Sequence, residues 1–230
     1  MEKKQESSEF TSALTKNETI LAALGFVLHT VLLPLLAAGA MERGLLTEEY
    51  ANFAVYAFMA VYTVIALFGF LRRDFDPLSD RIIFSIFEVF TEYVGLMCLN
   101  LALDSLLLVF FDLDNPNTQS MNELIVSGSG AIRATVIFLA PIVEEALFRA
   151  LLFGAVQKRS RVWGYILSVA AFALYHLWDF IITDINSLIY LVQYIPAGIL
   201  LCRCYERTNT IWAPIALHAL VNAVSVSMLT

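Results

Sequence analysis

A run of about twenty apolar residues is long enough to cross a bilayer as a helix, and this 230-residue chain holds several such runs. Its composition agrees. Hydrophobic residues make up 59% and charged residues 15%, against roughly 25% charged in ordinary soluble domains. The mean hydropathy is +0.74. The implied architecture is all-α: a polytopic integral membrane helical bundle of about seven transmembrane helices, with six to eight compatible. A formal charge of −7 and the lack of a basic stripe exclude a nucleic-acid partner.

Residues 1–18 read as a short, disordered, cytoplasmic polar tail, and 19–230 as a single transmembrane domain. The first run, about Glu18 to Met41, exceeds the apolar core of a signal peptide and follows a long polar stretch, so it reads as a retained span with Asn17 or Thr19 as its cap. The second runs from about Ala51 to Leu71, and the stretch Asp74 to Pro77 reads as a turn. Residues 82–111 are too short for two spans with a turn, so they read as one long helix whose span is about Tyr93 to Phe111. On it Asn100 and Asp104 share a face and are expected to point into the bundle. A polar loop is expected from Asp112 to Gly130. Further spans follow at about 131–156, 162–180, 185–202 and 211–228. Cys98, Cys202 and Cys204 lack paired metal-ligand spacing and read as ordinary reduced residues.

Basic residues fall on one side of this alternation. Lys3, Lys4, Lys16, Arg72, Arg73, Arg81, Lys158, Arg159, Arg161, Arg203 and Arg207 all lie there, whereas the opposite loops hold only Arg43 and Arg133. The positive-inside rule then places the chain in the cell membrane with a cytoplasmic amino end and a carboxyl end outside.

The fourth run breaks the pattern. Pro141-Ile142-Val143-Glu144-Glu145-Ala146-Leu147-Phe148-Arg149 puts two carboxylates and a guanidinium inside an apolar segment. Charge in hydrocarbon costs at least a few kcal/mol per group, so such residues point to function. Glu145 and Arg149, four apart, are expected to pair along the helix. Glu144 points about 100° away and is left as a carboxylate in apolar surroundings, suited to a general base, the alternative being that both glutamates bind Arg149. His176 lies inside the fifth span, and His218, four residues before Asn222, inside the seventh. His and Glu move protons near neutral pH, and His and Asn donate to a developing oxyanion, so a hydrolytic site from three spans is plausible. His29, in the first span, reads as a packed residue.

The three motifs in order, Glu144-Glu145-x-x-x-Arg149, Phe172-x-x-x-His176 and His218-x-x-x-Asn222, resemble the CPBP family, the CAAX-protease and bacteriocin-processing (Abi) intramembrane proteases that include the type II CAAX prenyl endopeptidases. The resemblance covers about 131–224. It implies an intramembrane endopeptidase acting on a membrane-embedded, membrane-associated or prenylated peptide. Glu144 would activate water with help from His176, and His218 and Asn222 would stabilise the oxyanion. Glu145, Arg149 and Phe172 would support and line the site. The resemblance to the prenyl endopeptidases implies chemistry without bound metal. A zinc ion, if present, would take Glu144, His176 and His218, although no His-Glu-x-x-His segment occurs. The competing readings are a non-proteolytic membrane partner, such as a bacteriocin-immunity or sensor-regulating protein, and a proton-coupled transporter.

Overall fold

The computed structural model describes residues 10–111 and 115–230. Among them the chain is helical throughout its ordered elements, with no strand. The helices are α1 (Lys16–Glu42), α2 (Glu48–Ala66), the short α3 (Phe68–Arg73) and α4 (Phe75–Asp80), α5 (Ile82–Phe111), α6 (Pro116–Ser127), α7 (130–157), α8 (Arg161–Thr183), α9 (Leu191–Thr208) and α10 (Trp212–Leu229). A 3-10 turn, Ile185–Tyr190, leads into α9. Six of the helical stretches are long and apolar enough to cross a membrane. The remaining expected span, the fourth, is α7, whose Glu144, Glu145 and Arg149 make it too charged to qualify on apolar character.

That helix is the axis of the bundle. α1, α2, α8, α9 and α10 all pack against α7, while α5 lies outside it across α9 and α10. From Ala140 to Gly154 nearly every α7 residue is buried, whereas the peripheral helices expose Ile65, Ile83, Val109 and Met228 outward. This arrangement suits a lipid surround, in which apolar side chains face the solvent and charges face the interior. Gly198 permits a close approach, since a Cβ there would stand 3.0 Å from Val169 Cγ1 across the α8–α9 contact.

Two helices contain wide π turns just ahead of a proline: Leu28–Leu32 before Pro34 in α1, and Thr135–Leu139 before Pro141 in α7. Proline lacks an N–H and its ring clashes with the carbonyl four residues back, so a widened turn relieves the clash without ending the helix. A second π segment, Glu145–Phe153, begins within the charged motif. The carbonyls of such turns accept from neighbouring helices: Val136 O from Asn222 Nδ2 at 2.8 Å, and Phe148 O from Ser168 Oγ at 2.7 Å.

Several boundaries differ from expectation. The polar amino-terminal stretch is not a free tail over residues 10–15; residues 1–9 lie outside the described residues. Phe10 is buried against Phe153 and Tyr205. Asn209, in the left-handed conformation that ends α9, accepts through Oδ1 from Thr11 N and Ser12 N at 2.9 Å each. The cap of α1 is Thr15, in a reciprocal capping box with Glu18, rather than Asn17 or Thr19. The stretch expected as a turn at 74–77 opens the helix α4. The loop expected from 112 to 130 contains the helix α6, started by Asn115 as cap and Pro116 in the first turn; residues 112–114 lie outside the described residues.

Candidate active site

The charged motif sits midway along α7, where α2, α8 and α10 converge on it. Glu144 is 3% exposed, and its two oxygens have different fates. Oε1 accepts from Tyr56 Oη on α2 at 2.7 Å. Oε2 has no hydrogen-bond partner among the described residues and faces His176 Nε2 at 3.7 Å and His218 Nε2 at 4.0 Å. Both separations are too long for a direct bond and suit a bridging water.

The far sides of the two imidazoles are fixed. His176 Nδ1 lies 2.9 Å from the carbonyl of Phe172, one turn back on α8. A carbonyl only accepts, so Nδ1 carries the proton. His218 Nδ1 lies 2.7 Å from Glu145 Oε1 and donates to that carboxylate. In their neutral forms both rings therefore present an Nε2 lone pair toward Glu144. A water donating one hydrogen to Glu144 and the other to either ring satisfies this arrangement.

Glu145 does more than the expected pairing. Its Oε1 accepts from Arg149 Nη1 at 3.1 Å as well as from His218. It thus ties the ion pair of α7 to the histidine of α10. Arg149 is completely buried, with its guanidinium 4.3 Å from the Phe172 ring centroid. Phe172 also lies 4.4 Å from the His176 ring, so it stands as a spacer between the cation and the imidazole. Asn222 shares the cavity wall with His218 and is anchored through Nδ2 to Val136 O, which leaves its second amide N–H free.

Three residues of the network were not singled out as functional from the sequence. Tyr56 Oη is 3.0 Å from Tyr175 Oη, which is 2.8 Å from His29 Nε2. This chain runs from Glu144 through α2 and α8 to α1. His29 is packed, as expected, yet it is bonded into the site. The one local signal was a tyrosine directly before His176.

Glu144, Tyr56, Phe172, Tyr175, His176, His218 and Asn222 line a cavity of about 620 Å³, which α6 helps to wall through Asn117, Thr118 and Asn122. Asn100 and Asp104 line it too, as their shared face implied. Asp104 Oδ1 accepts from Gln193 Nε2 at 3.0 Å. The donors considered for zinc do not fit one: among the described residues no group of three His, Cys, Asp or Glu side chains closes tightly enough to hold a metal ion. Zinc bonds of roughly 2 Å would require the set to contract, since Glu144 Oε2 stands 3.7 and 4.0 Å from the two Nε2 atoms.

The segment carrying all three motifs is the part of the chain that is similar to known proteins. Residues 128–224 match the family described as Type II CAAX prenyl endopeptidase Rce1-like. A curated relative in Bacillus subtilis (strain 168), named "Putative membrane peptidase YdiL", is 29% identical over 116 residues, which are 50% of this chain and 43% of that protein. The chain thus spans less than half the length of this relative. No solved structure matches it. The Rce1-like match begins just before α7 and ends within α10, so it takes in Glu144, Glu145, Arg149, Phe172, His176, His218 and Asn222. The resemblance read from the motifs is borne out over this segment. Tyr56 and His29 lie outside it.

Proposed function

We propose that the chain is an intramembrane endopeptidase in which Glu144 activates water for attack on a peptide carbonyl. The observation that carries this reading is the free Glu144 Oε2, buried at the cavity floor within water-bridged reach of two imidazoles. Water held there gives a proton to Glu144 as its oxygen bonds to the carbonyl carbon. The resulting oxyanion is received by the free N–H of Asn222 and by His218. Because Nδ1 of His218 already donates to Glu145, His218 donates from Nε2 only as an imidazolium, and Glu145 is the counter-charge that supports that form. Collapse breaks the C–N bond, and the proton on Glu144 passes to the leaving amine, with His176 beside it as the alternative carrier. Tyr56 holds Glu144 in orientation throughout.

The substrate is a membrane-embedded or membrane-associated peptide, with prenylated peptides one class to try. The chain lies across the cell membrane with its amino end cytoplasmic and its carboxyl end outside, as the basic loops require. A purely binding role, as in immunity or sensor regulation, predicts that chemistry-dead variants still function. The test compares membrane peptides, by mass spectrometry, from cells carrying the native chain and cells carrying Glu144→Gln. The expected result is one or more peptides left uncut in the variant at equal protein level. Identical peptide profiles with Glu144→Gln and His176→Ala, both folded, reject the peptidase.

A further inference from the structure

The cavity belongs to one half of the membrane. On α5, α8 and α10 its lining falls in the carboxyl-terminal parts, at 96–104, 172–180 and 218–226. On α2, α7 and α9 it falls in the amino-terminal parts, at 52–56, 135–144 and 193–201. Successive spans run in opposite directions, so all these parts lie at one end, where Glu49 meets Ser129 and Gln193 meets Asn115. The other end is closed by different contacts: Arg73 with Glu18, Arg161 with Glu206, and Asp74 with Ile211 N. That closed end carries the basic loops. By the positive-inside rule it is cytoplasmic, and the cavity opens on the opposite face.

The charged side chains toward the mouth of the cavity are acidic. Asp179 stands one helical turn beyond His176 toward the mouth, and Asp104 faces the same space from α5. Amides of Asn115, Asn117, Asn122 and Gln193 fill out the wall, and no Lys or Arg lines the cavity among the described residues. An independent feature points to an occupant: Glu144, 3% exposed, aims an unpartnered carboxylate oxygen into the same cavity. Three carboxylates in a cleft with low-dielectric walls focus a negative potential along it.

We propose that this cavity admits a positively charged peptide segment from the face of the membrane opposite the basic loops, with Asp104 and Asp179 receiving its Lys or Arg side chains. The inference rests on the cavity being a peptide site, as the peptidase reading holds, and it adds the charge of the peptide and its side of entry. An anionic segment, including a free carboxyl end placed at the mouth, is disfavoured by the same field.

Binding tests this without turnover. The Glu144→Gln chain in lipid nanodiscs is titrated with two peptides of equal length, one bearing two Lys and the other two Glu. Trp178 lines the cavity and serves as the fluorescence reporter, with Trp178→Phe as the control that removes the signal. The Lys peptide is expected to bind roughly tenfold tighter at low salt, with the gap narrowing as salt rises. Asp104→Asn with Asp179→Asn is expected to remove most of the gap. Equal affinities, or no binding of the Lys peptide, overturn the proposal. For the side of entry, Thr118→Cys and Arg159→Cys are compared in intact cells on a Cys98→Ser background with a membrane-impermeant maleimide. Labelling at 118 and not at 159 is expected, and the reverse pattern overturns it. Charge-dependent binding together with identical membrane-peptide profiles for the native chain and Glu144→Gln would reject the peptidase reading while leaving this one standing.

Discussion

At the scale of single residues, the site is a set of charges that depend on their neighbours. Arg149 is the clearest case, being fully enclosed with Glu145 as its anionic partner. Removing one member of a buried pair typically costs about 3–5 kcal/mol, because the other is left charged without compensation. Glu145 would keep His218, so Arg149→Ala is expected near the lower figure, about 3 kcal/mol. For a chain of this size that is a fall of roughly 6–12 °C in the thermal midpoint, measured in detergent. An unchanged midpoint would reject the pairing. Asp74, outside the spans, makes a different prediction. Burial pushes its carboxyl up to about 6 from 3.8, although hydrogen bonds from Ser12 and Ile211 and the nearby Arg73 pull it down. A raised folded-state value means that the folded chain binds the proton more tightly than the unfolded chain. Its contribution is therefore full below about 4 and is lost as pH rises through about 6. Native protein should gain on the order of 2–3 kcal/mol between pH 7 and pH 4 from this group. Asp74→Asn should remove that part of the pH dependence in parallel melts, and a variant with the native slope would show that Asp74 does not titrate there.

At the scale of elements, the helices were legible where apolar length alone decides them and less so where a partner decides. Residues 82–111 were rightly read as one helix, on which Glu88 and Glu92 have no cationic partner within the helix itself. They are instead half of an inter-helix ladder: Glu88 pairs with Arg207 and Glu92 with Arg203, each at 2.7 Å, across α5 and α9. The four-residue spacing on both helices was visible, but the antiparallel register that joins them was not. Likewise Asn115-Pro116 is a legible helix start, but the surrounding polarity favoured a loop, and α6 is held by contacts from Asn115 and Asn117 to Gln193 and Tyr194. The motif residues were legible because their chemistry is anomalous in a span. Tyr56 and Tyr175 were not, since a tyrosine in a span is ordinary until its hydroxyl finds a carboxylate on another helix. The ladder gives the element-scale prediction. Arg203→Ala leaves Glu92, whose side chain is 0% exposed, without its cation, but Arg203 itself is 44% exposed. The loss should fall below that of a fully buried pair, at about 2 kcal/mol. Glu92→Leu combined with Arg203→Leu should recover most of it. If the double variant melts as low as the single, the cost arises from something other than the stranded carboxylate.

At the scale of the whole molecule, the span with three charged residues near its centre is the one the others surround, and this decides how the bundle assembles. Alone in a membrane, α7 would carry Glu144, Glu145 and Arg149 near its centre. On an insertion scale, central charges cost about 2.5–3.5 kcal/mol each, or roughly 9 kcal/mol for the three. Its Leu, Ile, Val and Phe residues, at about 0.3–0.6 kcal/mol each, offset only some 6 kcal/mol of that. The balance is unfavourable in isolation. Within the bundle it is corrected by Tyr56 from α2, by the histidines of α8 and α10, and by the Phe172 face over Arg149. The helix that carries the chemistry therefore depends on the flanking spans for its place in the membrane, which is also what makes its carboxylates available to one another. Residues 130–157 presented alone to a membrane-insertion assay should stay largely uninserted. Replacing Glu144, Glu145 and Arg149 together by leucine should make the same segment insert almost completely. In the full chain the native segment should span, with an odd count of seven crossings and the two ends of the chain on opposite faces. Efficient insertion of the isolated native segment would show that the surrounding helices do not carry its charges, and the account of the site as a jointly held polar centre would fail with it.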